Sequence, residues 1–275
     1  MEQKDVFNIH TIQPDFVLKT DSFCQRVLAT YGISHFYSCK LNSSEENNML
    51  FIPDGCSNIL FSYSGNVMRA DVLGPTVSTK PFTLKKETNY FGVRFQPGEN
   101  PCFSNLTAKE LVNDSTSLND FKEMNQLREK MSEQDTFTTR MCTFLEEYRT
   151  FLSRTESTQH SLFKQISKII VDKNGMVRIS ELEKLTGYSS RYLNYIFSNE
   201  AGMSAKQYCN ITKLQTIINI LDGGKTTNFS KLAEDFHFYD QSHFIHEFED
   251  FTGTKPSAYL NKVIDKKYRQ CVIDC

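Results

Sequence analysis

The sequence predicts a two-domain α+β protein, in which a small β-barrel with packed helices precedes an all-α domain of two helix-turn-helix units joined by a long helix. The 275 residues exceed the usual size of a single domain. Short apolar runs separated by turn residues occupy positions of about 33 to 97, and apolar residues at helical spacing follow from about 105. We assign residues 1–155 to the first domain, including helices at about 105–155, and residues 160–265 to the second.

Six short runs rich in aromatic and β-branched residues predict the strands of the first domain. Turn residues separate them at Pro53-Asp54-Gly55, Ser64-Gly65-Asn66, Gly74-Pro75 and Pro97-Gly98. The runs are HFYSCKL, NNMLFIPDG, NILFSYSGN, VMRADVLGP, PFTLKK and NYFGVRFQPG. This spacing is typical of a β-sandwich or barrel, and we predict a small barrel.

Two apolar stripes at helical spacing follow the predicted strands. The first consists of Phe121, Met124, Leu127 and Met131, and the second of Phe137, Met141, Phe144, Leu145, Tyr148 and Leu152. The second stripe predicts packing on the barrel, on a neighbouring helix or on a second subunit. The polar segment SRTESTQHS, 153–161, is the predicted linker.

Short capped helices define the first helix-turn-helix unit. Ile166, Ile169 and Ile170 predict a helix that ends at Asn174-Gly175. Ser180 and Glu183 have the spacing of a capping box, which predicts a helix that buries Leu182 and Leu185 and stops at Gly187. Ser189 is the predicted cap of a third helix, and the apolar residues facing its interior are Leu193, Ile196 and Phe197.

The helix-turn-helix pattern returns about fifty residues later. Ser204 begins a long apolar helix that is predicted to end at Gly223-Gly224 and to act as a rigid spacer. Phe229 and Leu232 then mark a short helix, followed by a turn at His237-Phe238. The last helix starts at about Asp240, and its inward residues are Phe244 and Phe248.

The outward faces of the helices near 190–198 and 240–249 carry the predicted DNA-reading residues. These residues are Ser190, Arg191, Asn194 and Tyr195 in the first unit and Gln241, Ser242, Ile245 and His246 in the second. Arginine and asparagine can pair bidentately with guanine and adenine, glutamine can read adenine, and isoleucine can contact a thymine methyl group. A rigid spacer would place both helices in successive major grooves of double-stranded DNA, ~34 Å apart. Lys213 or Lys255 could hold phosphates.

The segment LAEDFHFYDQSHFIHEFEDFTGTKPSAY resembles the second helix-turn-helix of AraC/XylS-type transcription regulators. The residues that match the family pattern are Asp240, Ser242, His243, Phe244, Phe248, Gly253, Pro256 and Tyr259, and in the first unit Leu193, Phe197, Gly202, Ser204, Tyr208 and Leu214. The resemblance covers about residues 160–262. It implies a bacterial, cytoplasmic, sequence-specific DNA-binding regulator, an activator by family habit, with RNA polymerase as a partner.

The first domain resembles the cupin-like β-barrel sensor domains of such regulators through IPDGCSNILF, Gly74-Pro75 and GVRFQPG. That resemblance implies a small-molecule effector or a role in forming a homodimer. Three positions depart from the family pattern: His237 replaces a turn glycine, and Tyr195 and His246 replace arginines common on the recognition helices. These changes imply that the operator sequence differs from those of the relatives.

Charge, hydropathy and cysteine content limit the functional classes to which the protein can belong. The formal net charge is −2, divided as −4 up to residue 160 and +2 beyond it, which hints at a nucleic-acid partner for the second half. The apolar runs fall short of the roughly 20 residues that span a bilayer, so we expect no membrane association. Eight cysteines without a C-x-x-C pair predict a reduced cytosolic protein, with Cys271 and Cys275 in a frayed tail.

Two other functional classes compete with DNA binding. His237, His243 and His246, with Asp235 and Asp240, resemble a metal cluster, but their H-x-x-H pair lacks the H-E-x-x-H spacing of a metallohydrolase. We therefore predict no catalytic residues, no metal, no cofactor and no enzyme activity. The second alternative is a protein-interaction or effector-binding module that retains the fold without DNA binding, suggested by Tyr195, His246 and the weak basic charge.

Overall fold

The computed structural model describes residues 11–41, 48–101, 107–152, 158–223, 228–265 and 272–274. A short helix, α1 (Pro14–Leu18), precedes the strands. The strands are β1 (Thr20–Thr30), β2 (Ile33–Leu41), β3 (Asn48–Phe51), β4 (Asn58–Ser64), β5 (Val67–Leu73), β6 (Lys80–Thr83), β7 (Asn89–Phe95), β8 (Ser115–Ser117) and β9 (Val272–Asp274). All six predicted runs contain a strand, whereas β1, β8 and β9 were not predicted.

The strands form an open sheet rather than the closed barrel predicted from the sequence. Seven strands pair in the order β8-β5-β4-β7-β2-β1-β9, and β3 pairs separately with β6 in a two-stranded sheet. In the described part of the chain β8 and β9 are the two edges of the large sheet, so no hydrogen bonds close it. The protein is thus a two-domain α+β fold with a cupin-like N-terminal sheet.

Strand β1 illustrates a limit of the alternation pattern. It pairs with β2 through a tight hairpin in which Tyr31 and Gly32 both have positive φ angles, 57° and 71°. Two successive positive φ angles are the backbone requirement of a type I′ hairpin turn. The sequence TDSFCQRVLAT is polar at most positions, so an apolar pattern does not predict this strand.

The helices α2 (Asn125–Ser132) and α3 (Phe137–Arg149) pack on the large sheet. The ring of Phe144 in α3 lies 5.8 Å from that of Phe36 and 6.4 Å from that of Phe61, and all three side chains are fully buried. Of the three partners predicted for this apolar stripe, the sheet and the neighbouring helix α2 are both observed.

Seven helices in the described part of the chain form the C-terminal domain. They are α4 (Thr158–Asp172), α5 (Ile179–Thr186), α6 (Ser190–Ala201), α7 (Ala205–Asp222), α8 (Phe229–Asp235), α9 (Gln241–Thr252) and α10 (Pro256–Asp265). Helix α7 is buried on most of its sides between the two helix-turn-helix units, as a spacer helix requires. Residues 158–161 belong to α4 rather than to the predicted linker, and the rest of that linker, like Gly224, lies outside the described residues.

Two predictions about α5 are wrong. The helix starts after Arg178, so Ser180 is not its cap, and the Glu183 carboxylate instead accepts a hydrogen bond from the Ser190 backbone N–H at 2.6 Å. This contact joins α5 to the start of α6. Leu185, predicted as buried, is 56% exposed, because the α5 surface that α6 covers is narrow and centred on Leu182.

The two domains are in direct contact along α7 and around it. The Gln215 side chain accepts from the Ile12 N–H at 2.9 Å and donates to the Pro53 carbonyl at 2.8 Å. Lys262 pairs with Asp15 at 2.5 Å. These contacts attach the N-terminal segment and the strand loops to helices α7 and α10.

Residues 272–274 form a strand where the sequence predicts a frayed tail, and Cys271 and Cys275 lie outside the described residues. Strand β9 runs parallel to β1, with Phe23 opposite Val272 and Gln25 opposite Asp274. Cys24 is disulfide-bonded, which corrects the expectation of reduced thiols throughout. No helix in the described ranges has the length and apolar character needed to cross a membrane.

Candidate nucleic-acid interface

The orientation of α6 is fixed by its cap and its buried face. Ser189 accepts a hydrogen bond from the Tyr192 N–H, and Gly187 ends α5 in the left-handed conformation at φ 75°. Leu193, Ile196 and Phe197 are fully buried, as predicted. The helix can therefore present only its opposite side to a partner.

The four predicted reading residues of α6 differ in their freedom to contact a base. Arg191 and Tyr195 are exposed. The Asn194 Oδ1 atom accepts a hydrogen bond from the Ala205 N–H at 3.1 Å and so supports the start of α7. A bidentate contact with adenine uses both the oxygen and the amide nitrogen, so it would have to share this oxygen with the Ala205 N–H. Ser190 is half-buried beside Glu183.

Two further tyrosines lie on the outward side of this unit and were not among the predicted residues. Tyr188 precedes the cap of α6, and its ring lies 5.1 Å from that of Tyr192, which lies 6.2 Å from that of Tyr195. The i, i+3 spacing of Tyr192 and Tyr195 places two rings on one face of α6, and Tyr188 adds a third ring from the turn before the cap. The chemistry of base-edge recognition points to polar side chains and therefore does not identify Tyr188 and Tyr192.

Helix α9 has the same construction. Asp240 accepts from the His243 N–H at 2.7 Å, and Phe244 and Phe248 are fully buried. The turn before it is left-handed at His237, with φ 54°. The turn predicted at His237-Phe238 is therefore present, and the histidine adopts the conformation that glycine normally provides.

The outward face of α9 is acidic as well as polar. Gln241, Ser242 and His246 are exposed, whereas Ile245 is half-buried, with part of its side chain packed against the C-terminal core. The rest of the exposed side includes Asp250, and α9 contains three acidic residues and no lysine or arginine. Its face thus offers hydrogen bonds to DNA without a positive charge on an arginine or lysine.

The histidines of this unit serve separate structural roles. His243 accepts from the Tyr239 N–H and pairs with Glu247 at 3.0 Å, while His237 sits in the turn. In the described ranges no group of three or more His, Cys, Asp or Glu side chains could hold a metal ion. The segment that contains these histidines therefore belongs to the second helix-turn-helix unit and is not a metal site of the described residues.

Positive charge is scarce across the helical domain. Residues 161–265 hold twelve Lys and Arg and twelve Asp and Glu, so their formal net charge is zero and the surplus of the second half lies beyond them. Lys213 places its ammonium 3.4 Å from the centre of the Phe238 ring, and burial lowers its pKa. It is therefore engaged inside the domain rather than displayed for a phosphate.

The N-terminal domain contains a partly open cavity with a volume of about 30 Å³. Its lining combines five apolar side chains with polar groups. The apolar side chains are Phe16, Val17, Phe23, Tyr37 and Phe51, and the lining also includes Ile12. The polar side chains are Thr11, Gln13, Gln25, His35 and Arg94.

A buried ion pair lies at the polar side of the cavity. Arg94 pairs with Asp54, and Gln13 donates to the same carboxylate at 2.5 Å. The backbone of the neighbouring Ile12 is bonded to Gln215 of α7. Ile12, which lines the cavity, is therefore hydrogen-bonded directly to the spacer helix α7.

A family model described as a helix-turn-helix domain matches residues 182–262. The C-terminal domain is an AraC-type helix-turn-helix domain. Domains of this type are the DNA-binding parts of transcription regulators, which agrees with the paired, capped helices of this AraC-type domain. A second family model, described as a domain of unknown function (DUF6597), matches residues 25–117 of the N-terminal sheet.

Among solved structures the chain is similar to the ToxT protein of Vibrio cholerae. ToxT from strain O395 has 12% sequence identity and a TM-score of 0.44, with 88% of this chain and 98% of that chain covered. A 1.65 Å structure in the P21 form gives 12% and 0.46, with coverage of 88% and 99%. ToxT of strain SCE256 with bound unsaturated fatty acid gives 14% and 0.40, with coverage of 88% and 93%. No curated protein matches the chain significantly.

Proposed function

We propose that the protein is a sequence-specific transcription regulator that inserts α6 and α9 into two successive major grooves of double-stranded DNA. One observation carries the proposal: each unit has a capped second helix whose inner face is fully buried, and a single buried helix, α7, joins the two. A rigid connection lets one chain contact two grooves about 34 Å apart. Activation through RNA polymerase is the direction of regulation that we propose.

The contacts that we propose for the first unit are made by Arg191, Tyr195 and the amide nitrogen of Asn194, with Ser190 near the backbone. Arg191 is the only cation of α6 and is the side chain suited to a guanine. In the second unit Gln241, Ser242 and His246 provide hydrogen bonds to base edges or phosphates, and half-buried Ile245 contacts a thymine methyl group.

Selection of bound fragments from a random DNA pool, followed by affinity measurement, tests this proposal. We expect one site with two contacted regions about one helical turn apart. Arg191→Ala should weaken binding roughly 5- to 100-fold by removing a base contact. Arg69→Ala, on the exposed part of β5, is the matched control and should leave affinity unchanged. Failure of the wild type to enrich any DNA at low salt would contradict the proposal.

We further propose that a small-molecule effector occupies the N-terminal cavity and alters the DNA-binding domain. The supporting observations are the mixed apolar and polar lining and the short path from Arg94 through Gln13 and Ile12 to Gln215. The segment from Phe137 to residue 161 is a second route, although α3 is packed into the sheet core. Unchanged operator affinity and transcription after deletion of residues 1–155 would exclude an essential controlling role for the first domain.

The second candidate function is an interaction module that keeps the fold without binding DNA. Its specific support is the zero net charge of residues 161–265 and the acidic face of α9. Most DNA-binding domains gain much of their affinity by neutralising phosphates. Absence of DNA binding even at about 20 mM salt, with a folded domain, would favour this alternative.

A further inference from the structure

We infer that the first unit contacts DNA chiefly through three exposed tyrosines, with charge in a minor role. We name Tyr188, Tyr192 and Tyr195 the tyrosine strip. The inference rests on the proposed function, since it requires that α6 meets DNA. It assigns contacts to Tyr188 and Tyr192, which base-reading chemistry alone did not single out.

The strip is an ordered surface rather than three independent side chains. Tyr192 and Tyr195 are stacked with ring planes 18° apart, and Tyr188 and Tyr192 are tilted by 40°. The three side chains are 39%, 37% and 51% exposed in that order. In the described part of the chain none of their hydroxyl groups has a hydrogen-bond partner.

The strip lies where a recognition helix meets the groove. Successive residues of a helix are rotated by about 100°, so Tyr192 and Tyr195 fall on one side of α6 together with Arg191. Tyr188, which precedes the cap, joins this side through the contact of its ring with that of Tyr192. Leu193 and the other buried residues of α6 occupy the opposite side. The side that the helix-turn-helix fold directs toward DNA is therefore tyrosine-rich.

The chemistry of the strip fits a duplex. Phenol hydroxyls donate to phosphate oxygens, and ring surfaces pack against sugars and thymine methyl groups. Mutual contact already restricts the three rings, and a tyrosine has only two side-chain torsions to order on binding. Contacts of this kind add affinity without releasing counterions.

The scarcity of positive charge supports the same assignment. The helices α6 and α9 together carry a single cation, Arg191. In the second unit Tyr239 directly precedes the cap of α9, as Tyr188 precedes the cap of α6, and it is 92% exposed. The repeat of an uncovered tyrosine at both helix entrances favours DNA over an unrelated protein as the occupant.

The test measures affinity against salt concentration for the full chain on the DNA site selected by the wild type. Counterion release predicts a slope of log K on log salt of about −0.9 for each neutralised phosphate, and we expect the wild type to show no more than about three such contacts. Tyr192→Phe should weaken binding roughly 3- to 10-fold and the triple Phe variant roughly 30-fold or more, with the slope unchanged. Arg191→Ala should reduce the slope by about one.

The controls separate loss of contact from loss of folding. Replacement of tyrosine by phenylalanine keeps the ring stack, and thermal melting should match the wild type. Tyr31→Phe, at the β1–β2 turn and 40% exposed, is the matched control and should bind like the wild type. A second variant, Tyr192→Ala, also removes the ring and should weaken binding further.

Each outcome has a distinct meaning. If the wild type selects DNA but the triple Phe variant binds within twofold of it, the tyrosine inference fails and the proposed function stands. A wild-type slope corresponding to six or more phosphates would also overturn the inference, because charge would then dominate. If the wild type binds no DNA, the proposed function and the inference fail together, and the strip is left as a surface for a protein partner.

Discussion

At position 237 a single backbone angle explains why the second unit tolerates a histidine where AraC-type patterns have glycine. His237 has φ 54°, and its N–H donates to Glu234 while the following Phe238 N–H donates to Ala233. These two hydrogen bonds end α8 and hold the turn. The left-handed conformation costs a non-glycine residue about 1–2 kcal/mol, which the turn hydrogen bonds and the packing of Phe238 must offset.

His237→Gly should therefore leave the free energy of unfolding unchanged or raise it by up to about 1 kcal/mol, because glycine adopts this angle without strain. His237→Val should lower it by about 2 kcal/mol, since a β-branched side chain is least compatible with positive φ. Urea unfolding of the two variants beside the wild type measures both effects. A lower stability for the glycine variant would mean that the imidazole itself makes a stabilising contact.

At the scale of elements, apolar periodicity identified helices better than it identified which residues they bury. The apolar stripe of helix α3 packs as predicted, and Phe144 and Tyr148 are fully buried against the sheet. In α5 the same reasoning placed Leu185 inside, yet it is exposed. The number of buried rows depends on how many neighbours a helix has, and the helix sequence alone does not contain that number.

Phe144→Ala should lower the free energy of unfolding by about 3–5 kcal/mol, because the variant leaves a cavity among packed aromatic rings. Leu185→Ala, a matched truncation at a surface position, should change it by less than about 0.5 kcal/mol. Denaturant unfolding followed by near-ultraviolet circular dichroism reports both. A large loss with Leu185→Ala would mean that this surface is covered by another molecule in solution.

At the scale of the molecule, the interface between the domains contains a charged cluster around His160. Its ring bonds to Glu200 at 2.8 Å and to Glu99 at 3.3 Å, and Lys164 contacts the same Glu99. Burial disfavours the charged ring, but the hydrogen bonds to Glu200 and Glu99 outweigh this and raise the pKa of His160 to about 9. A protonated histidine therefore joins α4 to the strand side at neutral pH.

Because the folded pKa is raised above the usual 6.5, this contribution to stability is complete below pH 6.5 and disappears as the pH rises through about 9. We expect the wild type to lose more stability between these pH values than His160→Gln, which cannot be charged. Unfolding curves at several pH values, with the variant subtracted, isolate the effect from other titrating groups. Parallel pH profiles for the two proteins would contradict the assignment.

Gln215→Leu should lower stability by about 1–3 kcal/mol, because it removes the buried partners of the Ile12 N–H and the Pro53 carbonyl. The hydrogen-exchange protection of the Ile12 amide should fall as well. Gln207→Leu, which removes a longer and exposed bond to the Val77 carbonyl, is the matched control and should stay within about 0.5 kcal/mol of the wild type. Equal effects of both variants would mean that Gln215 holds no special contact.

The amino-acid sequence is sufficient to predict the two helix-turn-helix units, the spacer helix and the inward faces of α6 and α9. These features depend on caps, turn residues and a 3.6-residue period, all of which act over a few positions of the chain. The strands from β2 to β7 were predictable for the same reason. The chemical types offered on α6 and α9 were also visible, and their contacts with bases stay a prediction.

Tertiary contacts account for the open sheet, for the C-terminal strand that joins it and for the hydrogen bond between the Asn194 amide oxygen and the start of α7. Tertiary contacts also account for the hydrogen bonds by which Gln215 and His160 join the two domains, and for the exposure of the tyrosine strip. Each of these depends on groups distant in the sequence, such as Ile12 and Gln215, and no local pattern encodes which distant surface will bury or satisfy a given side chain.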